Sequence, residues 1–451
     1  MLDSNVFALP LKDKWLLYAP LHGISALVND AAVNALQEPA RNTHSAELDQ
    51  LRKDLSKAPV ALPDSKKGDF IPAFLGFLPT RDCNLSCKYC GFRAGSSPQK
   101  SMSIDLAVRC IDWYAKLLKA DGEDTLEIHF FGGEPFIKPE LVMMVVHAAR
   151  IRGEEYGLRT RFEASTNGVM NEEMARFAAN FIHNIVLSID GPLDIQNSHR
   201  PRPGGEGSFE DAYRSARVFD DGPGGLHLRS CITSDTVSRM EEIATWFSRE
   251  FRPSTVCFET LQPSPESEEA GLNIPDPWEF ASNYSRAALA LWKSGIKPIY
   301  ASAELSENRV SFCPVGKDVV IVSPEGEIAG CYLLERDWKA RGMDMSIGCF
   351  SENGEPEFYE GAVERLRNMN VLNYSRCNNC FCRWHCAGGC HVNHSFPGCP
   401  ETYVDLCKQT RIITLFNILS GMDRLDIFNE LDADKTNLRR VILQPSDRLG
   451  A

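Results

Sequence analysis

The spacing of apolar residues along the chain changes character three times. Residues 1–68 read as a small α+β unit. Two short strands, Trp15–Pro20 and Ser25–Val28, turn at His22-Gly23 and lead into helical patterns over Asp30–Gln37 and Ala46–Leu55. A linker rich in Pro, Lys and Asp, Lys57–Gly68, closes this unit. From Phe74 onward, short apolar runs alternate with helical stretches. The predicted strands are Phe74–Pro79, Leu126–Phe131, Arg161–Ser165, Asn184–Ile189, Leu226–Thr233 and Thr255–Leu261. Between them lie helical patterns at Ile104–Ala120, Pro139–Tyr156, Asn171–Asn180, Phe209–Phe219 and Arg239–Phe251. Six such strand-helix units over residues 69–300 imply an α/β fold on a parallel sheet, curved as an open barrel or lying flat, with its site at the C-terminal ends of the strands. Beyond a last helix at Pro277–Ser294 the periodicity gives way to loops, Gly-rich turns and cysteines. Residues 301–415 are therefore expected to form an irregular third domain, and 416–451 a C-terminal tail.

Composition narrows the class. A hydrophobic fraction of 43% over 451 residues suits a globular protein of two or three domains. No run is long and apolar enough for a membrane helix, and the N-terminus has no charged region before an apolar stretch, so the expected location is cytoplasmic, away from any membrane. A net charge of -13 disfavours nucleic acid, whose phosphates need clustered Lys and Arg. Sixteen cysteines are many for a chain expected in a reducing compartment, and their placement points to metal rather than disulfides. Ten of the sixteen lie between Cys313 and Cys407.

Directly after the first barrel strand comes Cys83-Asn84-Leu85-Ser86-Cys87-Lys88-Tyr89-Cys90. Three thiolates on one short loop can hold one face of an iron-sulfur cube and leave the fourth iron without a protein ligand, whereas a structural zinc site closes with four. The Cys-x3-Cys-x2-Cys spacing, with an aromatic before the third cysteine, resembles the radical S-adenosylmethionine (SAM) superfamily. The resemblance implies a partial (β/α)6 TIM-like barrel. It also implies a 4Fe-4S cluster on Cys83, Cys87 and Cys90, with SAM chelating the open iron and cleaved to a 5′-deoxyadenosyl radical. Further motifs fall at successive strand ends: Gly132-Gly133-Glu134-Pro135, Ser165-Thr166-Asn167-Gly168, and Ser188-Ile189-Asp190-Gly191-Pro192 followed by Arg200. By resemblance Tyr89, Gly132, Gly133, Glu134, Pro135, Ser165, Asn167, Ser188 and Arg200 line the SAM site. Glu134 is expected to accept from the methionine amino group and Arg200 to meet the carboxylate. A His-Asp pair common before that Arg is Gln196-Asn197 here, which removes any acid-base role from those positions.

The run Cys377-x2-Cys380-x5-Cys386-x3-Cys390, with Cys407 after it and Cys313 and Cys331 before it, is similar to the SPASM domain of the same enzymes. That similarity implies two auxiliary 4Fe-4S clusters. The distal one would sit on Cys377, Cys380, Cys386 and Cys407, and the proximal one on Cys313, Cys331 and Cys390 with Cys349 as fourth ligand. Without Cys349 the proximal cluster keeps an open iron. Five cysteines remain: Cys110, Cys231, Cys257, Cys382 and Cys399. They read as buried inert thiols. Cys231 and Cys257, late on the fifth and sixth strands, are also candidate hydrogen-atom donors to a substrate radical.

Enzymes similar to this one mostly modify peptides or proteins, using a flavodoxin- or ferredoxin-type electron donor. The N-terminal unit looks like the winged-helix-like element that binds precursor leader peptides as an added strand, with a plain cap on the barrel as the other reading. In sulfatase-maturing enzymes the residue at Tyr332 is typically an Asp base, and a phenol is a poor base at neutral pH. The expected activity is therefore hydrogen abstraction from a ribosomally made peptide, giving a crosslink, an epimer or an oxidation. The alternatives are formylglycine formation and a non-catalytic iron-sulfur or zinc protein.

Overall fold

The structure, a computed structural model, describes residues 5–37, 45–59, 63–92, 100–333, 335–351, 354–391, 400–443 and 447–448; Cys399 lies outside them. The chain divides into two units. One comprises residues Met1–Ser65, Ala301–Phe312 and Met369–Ala451, the other Lys66–Tyr300 and Cys313–Asn368.

The first unit opens with an antiparallel meander of β1 (Phe7–Pro10), β2 (Trp15–Ala19) and β3 (Ile24–Val28), and the pair Asp447–Arg448 adds to the outer side of β1. The sequence pattern missed β1. It lies between two strands and is buried nearly throughout, so it lacks the period-2 alternation that marks a half-exposed strand. The helices Asp30–Gln37 and Ala46–Leu55 form as expected. The second is capped by Ser45, whose hydroxyl accepts from Leu48 N at 3.2 Å. Val33, Leu36, Leu48 and Leu55 close over Val6, Ala8, Leu17 and Ala19 of the sheet. In the same unit Leu21 packs with Val310, Val371, Cys377 and Trp384, and Trp384 Nε1 donates to Asn5 Oδ1 at 3.1 Å. The expected C-terminal tail is instead helical: Pro400–Gly421, Leu425–Ala433 and Lys435–Leu443 bury Leu419, Phe428, Leu431, Leu438 and Ile442.

The second unit is built on the parallel strands β4 (Leu75–Phe77), β5 (Thr125–Phe130), β6 (Arg159–Thr166), β7 (Asn184–Ser188), β8 (Gly225–Ile232) and β9 (Thr255–Thr260). They pair in sequence order, and each parallel neighbour is reached through a crossover that contains a helix. Two further parallel strands extend the edges, β10 (Lys297–Ile299) beside β9 and β11 (Val320–Val322) beside β4. Antiparallel β12 (Glu327–Ala329), β13 (Ser346–Phe350) and β14 (Pro356–Phe358) complete an open sheet of 11 strands. This corrects the expected division at residue 301. The run Val320–Val322 is buried throughout and finds its partner on the free edge of β4, so residues 313–368 fold with the barrel strands, while 301–312 and the segment from 369 fold with the N-terminal meander.

The crossover helices bury one stripe each. Ile104–Asp121 starts on the Ser103 cap, turns Leu106, Cys110, Ile111, Tyr114 and Leu118 inward, and stops at Gly122, which takes φ +82. Cys110 is thus core packing, as the inert reading expects. Strands β5 to β9 likewise bury alternate residues under the helices, such as Leu126, Ile128 and Phe130 of β5. Among the described residues no helix is long and apolar enough to cross a membrane.

Candidate functional site

The cysteine loop leaves the C-terminal end of β4 and is held by the turns that follow the next strands. Gly133 N donates to Thr80 O at 3.1 Å and Glu134 N to Asp82 O at 2.9 Å. The two glycines make this approach possible: a Cβ on Gly132 would stand 2.5 Å from Thr80 O, and one on Gly133 2.1 Å from Asp82 O. From the end of β6, Asn167 Nδ2 reaches Asn84 Oδ1 at 2.9 Å and Cys83 Sγ at 3.4 Å, while Asn84 Nδ2 returns to Val169 O at 2.6 Å. From beyond β7, Ser86 N donates to Pro201 O and Lys88 N to His199 O, at 2.8 and 2.9 Å.

Glu134 is almost wholly buried and spans two of these turns, accepting from Asn167 N at 2.7 Å, Thr166 Oγ1 at 2.8 Å and Phe136 N at 3.1 Å. Burial pushes its carboxyl up to about 7 against those hydrogen bonds. The structure thus gives Glu134 a place within the protein, tying β5 to β6, in addition to the role expected of it toward a bound amine. Pro135 is buried beside it, opening the turn Pro135–Ile137. Ser165 and Ser188 are half-buried on the face of β6 and β7 opposite the helices.

Asp190 is the hub that the sequence motif contained without revealing. It is fully buried, and its carboxylate takes Tyr89 Oη at 2.5 Å, His199 Nδ1 at 3.1 Å, Cys231 N at 3.0 Å and the Arg200 guanidinium, with Nε 3.1 Å from Oδ1. Burial opposes this charge, but Arg200 and His199 outweigh it and hold the carboxyl down at about 2. Arg200 in turn lies over the Tyr89 ring at 5.3 Å and places Nη1 4.0 Å from Cys87 Sγ. Gln196 and Asn197 have structural work here. Gln196 Oε1 accepts from Asp190 N, and Asn197 Oδ1 accepts from Ser208 N and Phe209 N at the start of the helix Phe209–Asp220.

These contacts suit a thiolate-bound cluster. Leu85 N and Asn167 Nδ2 both aim at Cys83 Sγ from 3.4 Å, and donors to sulfur are what such clusters use to set their potential. Burial pushes the Cys83 thiol up to about 12, so it stays protonated until a metal cation replaces the proton. Cys90 and Cys83 both lie within electrostatic reach of the Cys87 thiol on this short loop. Among the described residues no three His, Cys, Asp or Glu side chains converge on a point as ligands of a single ion would. A cube takes its thiolates at separate corners.

The strand face turned away from the helices is polar, which is unusual for parallel strands. It carries Glu127 and His129 on β5, Glu163 on β6, Arg229 and Cys231 on β8, and Cys257 and Glu259 on β9. His129 Nε2 lies 2.8 Å from Glu127 Oε1. Cys257 Sγ donates to Glu259 Oε1 at 3.3 Å, and Arg229 Nη2 lies 4.0 Å from the same oxygen. Register sets Arg229 beside Cys257 and Cys231 beside Glu259, so both candidate thiols lie on this polar face. Tyr332 also belongs to this unit. Its ring packs against Phe131 at 4.6 Å, and its buried Oη has no partner among the described residues. Burial pushes this phenol well above its ordinary range, so it is no base.

Of the C-terminal cysteines, Cys377, Cys380, Cys386 and Cys407 come together: Cys386 feels the charges of the other three. Cys382, expected to be inert, stands beside Cys380 and Cys386. Cys313, Cys331 and Cys349 belong to the barrel-containing unit and Cys390 to the other. The strand ladder fixes where Cys349 stands. On β13 it pairs with Glu327, while the β12 ladder runs on past Ala329 to Gly330, whose N donates to Met345 O. Cys331 therefore lies four residues further along, at about 3.3 Å per residue, and the Cys349 thiol meets Tyr359.

Residues 77–225 match the Radical SAM superfamily. The chain is 24% identical to mycofactocin maturase MftC of Mycobacterium tuberculosis over 76% of its own length and 85% of the relative's. It is 27% identical to the PqqA peptide cyclase of Gluconobacter oxydans over 57% of this chain and 69% of that protein. The solved structure of native anSMEcpe with bound AdoMet and Cp18Cys peptide covers 79% of this chain and 99% of its own, with a TM-score of 0.59 at 16% identity, which establishes the shared fold.

Proposed function

We propose that this chain, a radical SAM enzyme, modifies a ribosomally made precursor peptide. The observation that carries the reading is the Cys83, Cys87 and Cys90 loop, fastened by the turns after β5, β6 and β7 with donors aimed at its sulfurs. When bound, the cluster and SAM supply a 5′-deoxyadenosyl radical that abstracts a hydrogen atom. The chain's own part is positional. Gly132 and Gly133 keep the loop close, Asp190 orients Arg200 and Tyr89, and the polar strand face receives the target residue. Cys231 and Cys257 stand on that face as candidate hydrogen donors to a substrate radical.

A peptide target is supported by relatives that include a peptide cyclase. The meander supports leader recognition, since among the described residues β3 is its open edge, to which a peptide strand can add. Formylglycine formation is less well supported, because the buried phenol of Tyr332 stands where that chemistry would take a carboxylate base. Anaerobically reconstituted, reduced protein is expected to bind about twelve iron per chain for three cubes and to form 5′-deoxyadenosine from SAM. Replacing Cys83, Cys87 and Cys90 by Ala should abolish that product. Zinc in place of iron, or no 5′-deoxyadenosine with any peptide encoded beside the enzyme, would overturn the reading.

A further inference from the structure

The helix Pro400–Gly421 carries Cys407, Arg411 and Thr414 about one turn apart, and residues at those spacings share a face. That face meets the segment from Cys377 to Cys386. Cys407 stands with Cys377 and Cys380 around Cys386, Thr414 meets Cys382, and the Arg411 guanidinium meets Cys380. Arg411 is anchored from behind, Nη1 donating to Ile442 O at 3.0 Å, while its Nε is buried with no partner among the described residues. A guanidinium is always charged, and burying one of its N–H groups unpaired is costly. Among the described residues, the thiols of Cys380, Cys382 and Cys407 act on it.

We infer that Arg411 is a positioning residue that raises the reduction potential of an auxiliary cluster held by Cys377, Cys380, Cys386 and Cys407. This rests on the reading that those four thiolates bind such a cluster. Reduction adds one electron and hence one negative charge to the cube, with no bond in the protein made or broken. A fixed positive charge against a ligand sulfur stabilises that added charge more than the oxidised state. Hydrogen bonding alone would act through the donor and not the charge, so the two causes separate on substitution.

The test is an EPR-monitored redox titration of the full-length, anaerobically reconstituted chain in which Cys83, Cys87 and Cys90 are Ala, so that only auxiliary signals remain. C407A identifies the signal that depends on this ligand set. R411Q, which keeps side-chain donors but no charge, should move that signal to lower potential at unchanged iron content, and R411K should keep it near the parent value. An unmoved potential in R411Q at equal iron overturns the inference and leaves the cluster in place. Loss of iron in R411Q and R411K alike overturns it too, by assigning Arg411 a structural role. Loss in R411Q alone overturns it as well, because the charge is then needed to hold the cluster and not to set its potential. Iron content and signals unchanged in C407A would instead overturn the underlying cluster assignment.

Discussion

Asp190 and Glu134 are buried carboxyls with opposite electrostatics, and each yields a prediction. Asp190 is charged because Arg200, His199 and Tyr89 surround it, so D190N leaves a buried guanidinium unpaired and should cost about 3–5 kcal/mol of stability. Its folded pKa of about 2 lies below the unfolded value, so its contribution is present above about pH 4 and disappears as pH falls through 2. Chemical unfolding of wild type and D190N at pH 7 measures the loss. D190N should also lower SAM turnover, because Arg200 is released from the Cys87 side of the loop. Equal stability would refute the hub assignment. For Glu134 the folded value of about 7 exceeds the unfolded one, so the charged form destabilises and stability falls as pH rises from about 4.5 to 7. Relative to E134Q, wild type should therefore lose about 3 kcal/mol between pH 4.5 and 8, read from paired unfolding curves. A pH-independent difference would show that Glu134 is not held neutral by burial. Sequence located both residues inside motifs. It could not say that Asp190 is the hub, because His199, Arg200, Tyr89 and Cys231 meet it only across strand ends.

At the scale of elements, the strand-helix alternation fixed β4 to β9 to within a few residues, because β5 to β9 each carry a buried stripe and the helices between them an apolar face. The turns are where small changes should act most. In G133A the new Cβ would stand 2.1 Å from Asp82 O and 2.6 Å from Arg81 O, both backbone atoms that cannot rotate away. The substitution should displace the start of the cysteine loop and reduce iron by about four per chain, the content of one cube. Iron analysis with EPR checks it, and full iron with wild-type turnover would mean that the close packing is not needed. Cys231 and Cys257 test the strand face. C231S and C257S should leave 5′-deoxyadenosine formation intact, and whichever one donates hydrogen should lose the modified peptide. Loss of SAM cleavage in both would mean that they matter to the loop and not to the substrate. Alternation predicted their direction, but their neighbours Arg229 and Glu259 follow from register, which no single strand encodes.

On the scale of the whole molecule, the N-terminal meander is not a detachable module. It shares a unit with residues 301–312 and 369–451, through Leu21 packed on Val310, Val371 and Trp384, the Tyr18 hydroxyl bonded to His385, and Asn5 bonded to Trp384. A chain starting at residue 66 should therefore lose the iron proposed to bind at Cys377, Cys380, Cys386 and Cys407 and become insoluble or protease-sensitive. A soluble truncated protein with full iron would contradict this and restore the separate leader-binding module. Chelation of iron should likewise unfold the segment from Met369 onward, where short helical turns and cysteines leave little regular structure to stand alone. The sequence by itself determined the parallel sheet and the three-cysteine loop after its first strand, because apolar periodicity, turn residues and cysteine spacing are local properties of the chain. Tertiary structure alone decided that β11 joins β4, that Cys349 stands apart from Cys331, that Asp190 orients Arg200 and that Arg411 faces the distal thiols. Those outcomes depend on which surfaces find a partner, and the free edge of a strand or the buried face of a helix is filled by segments hundreds of residues away.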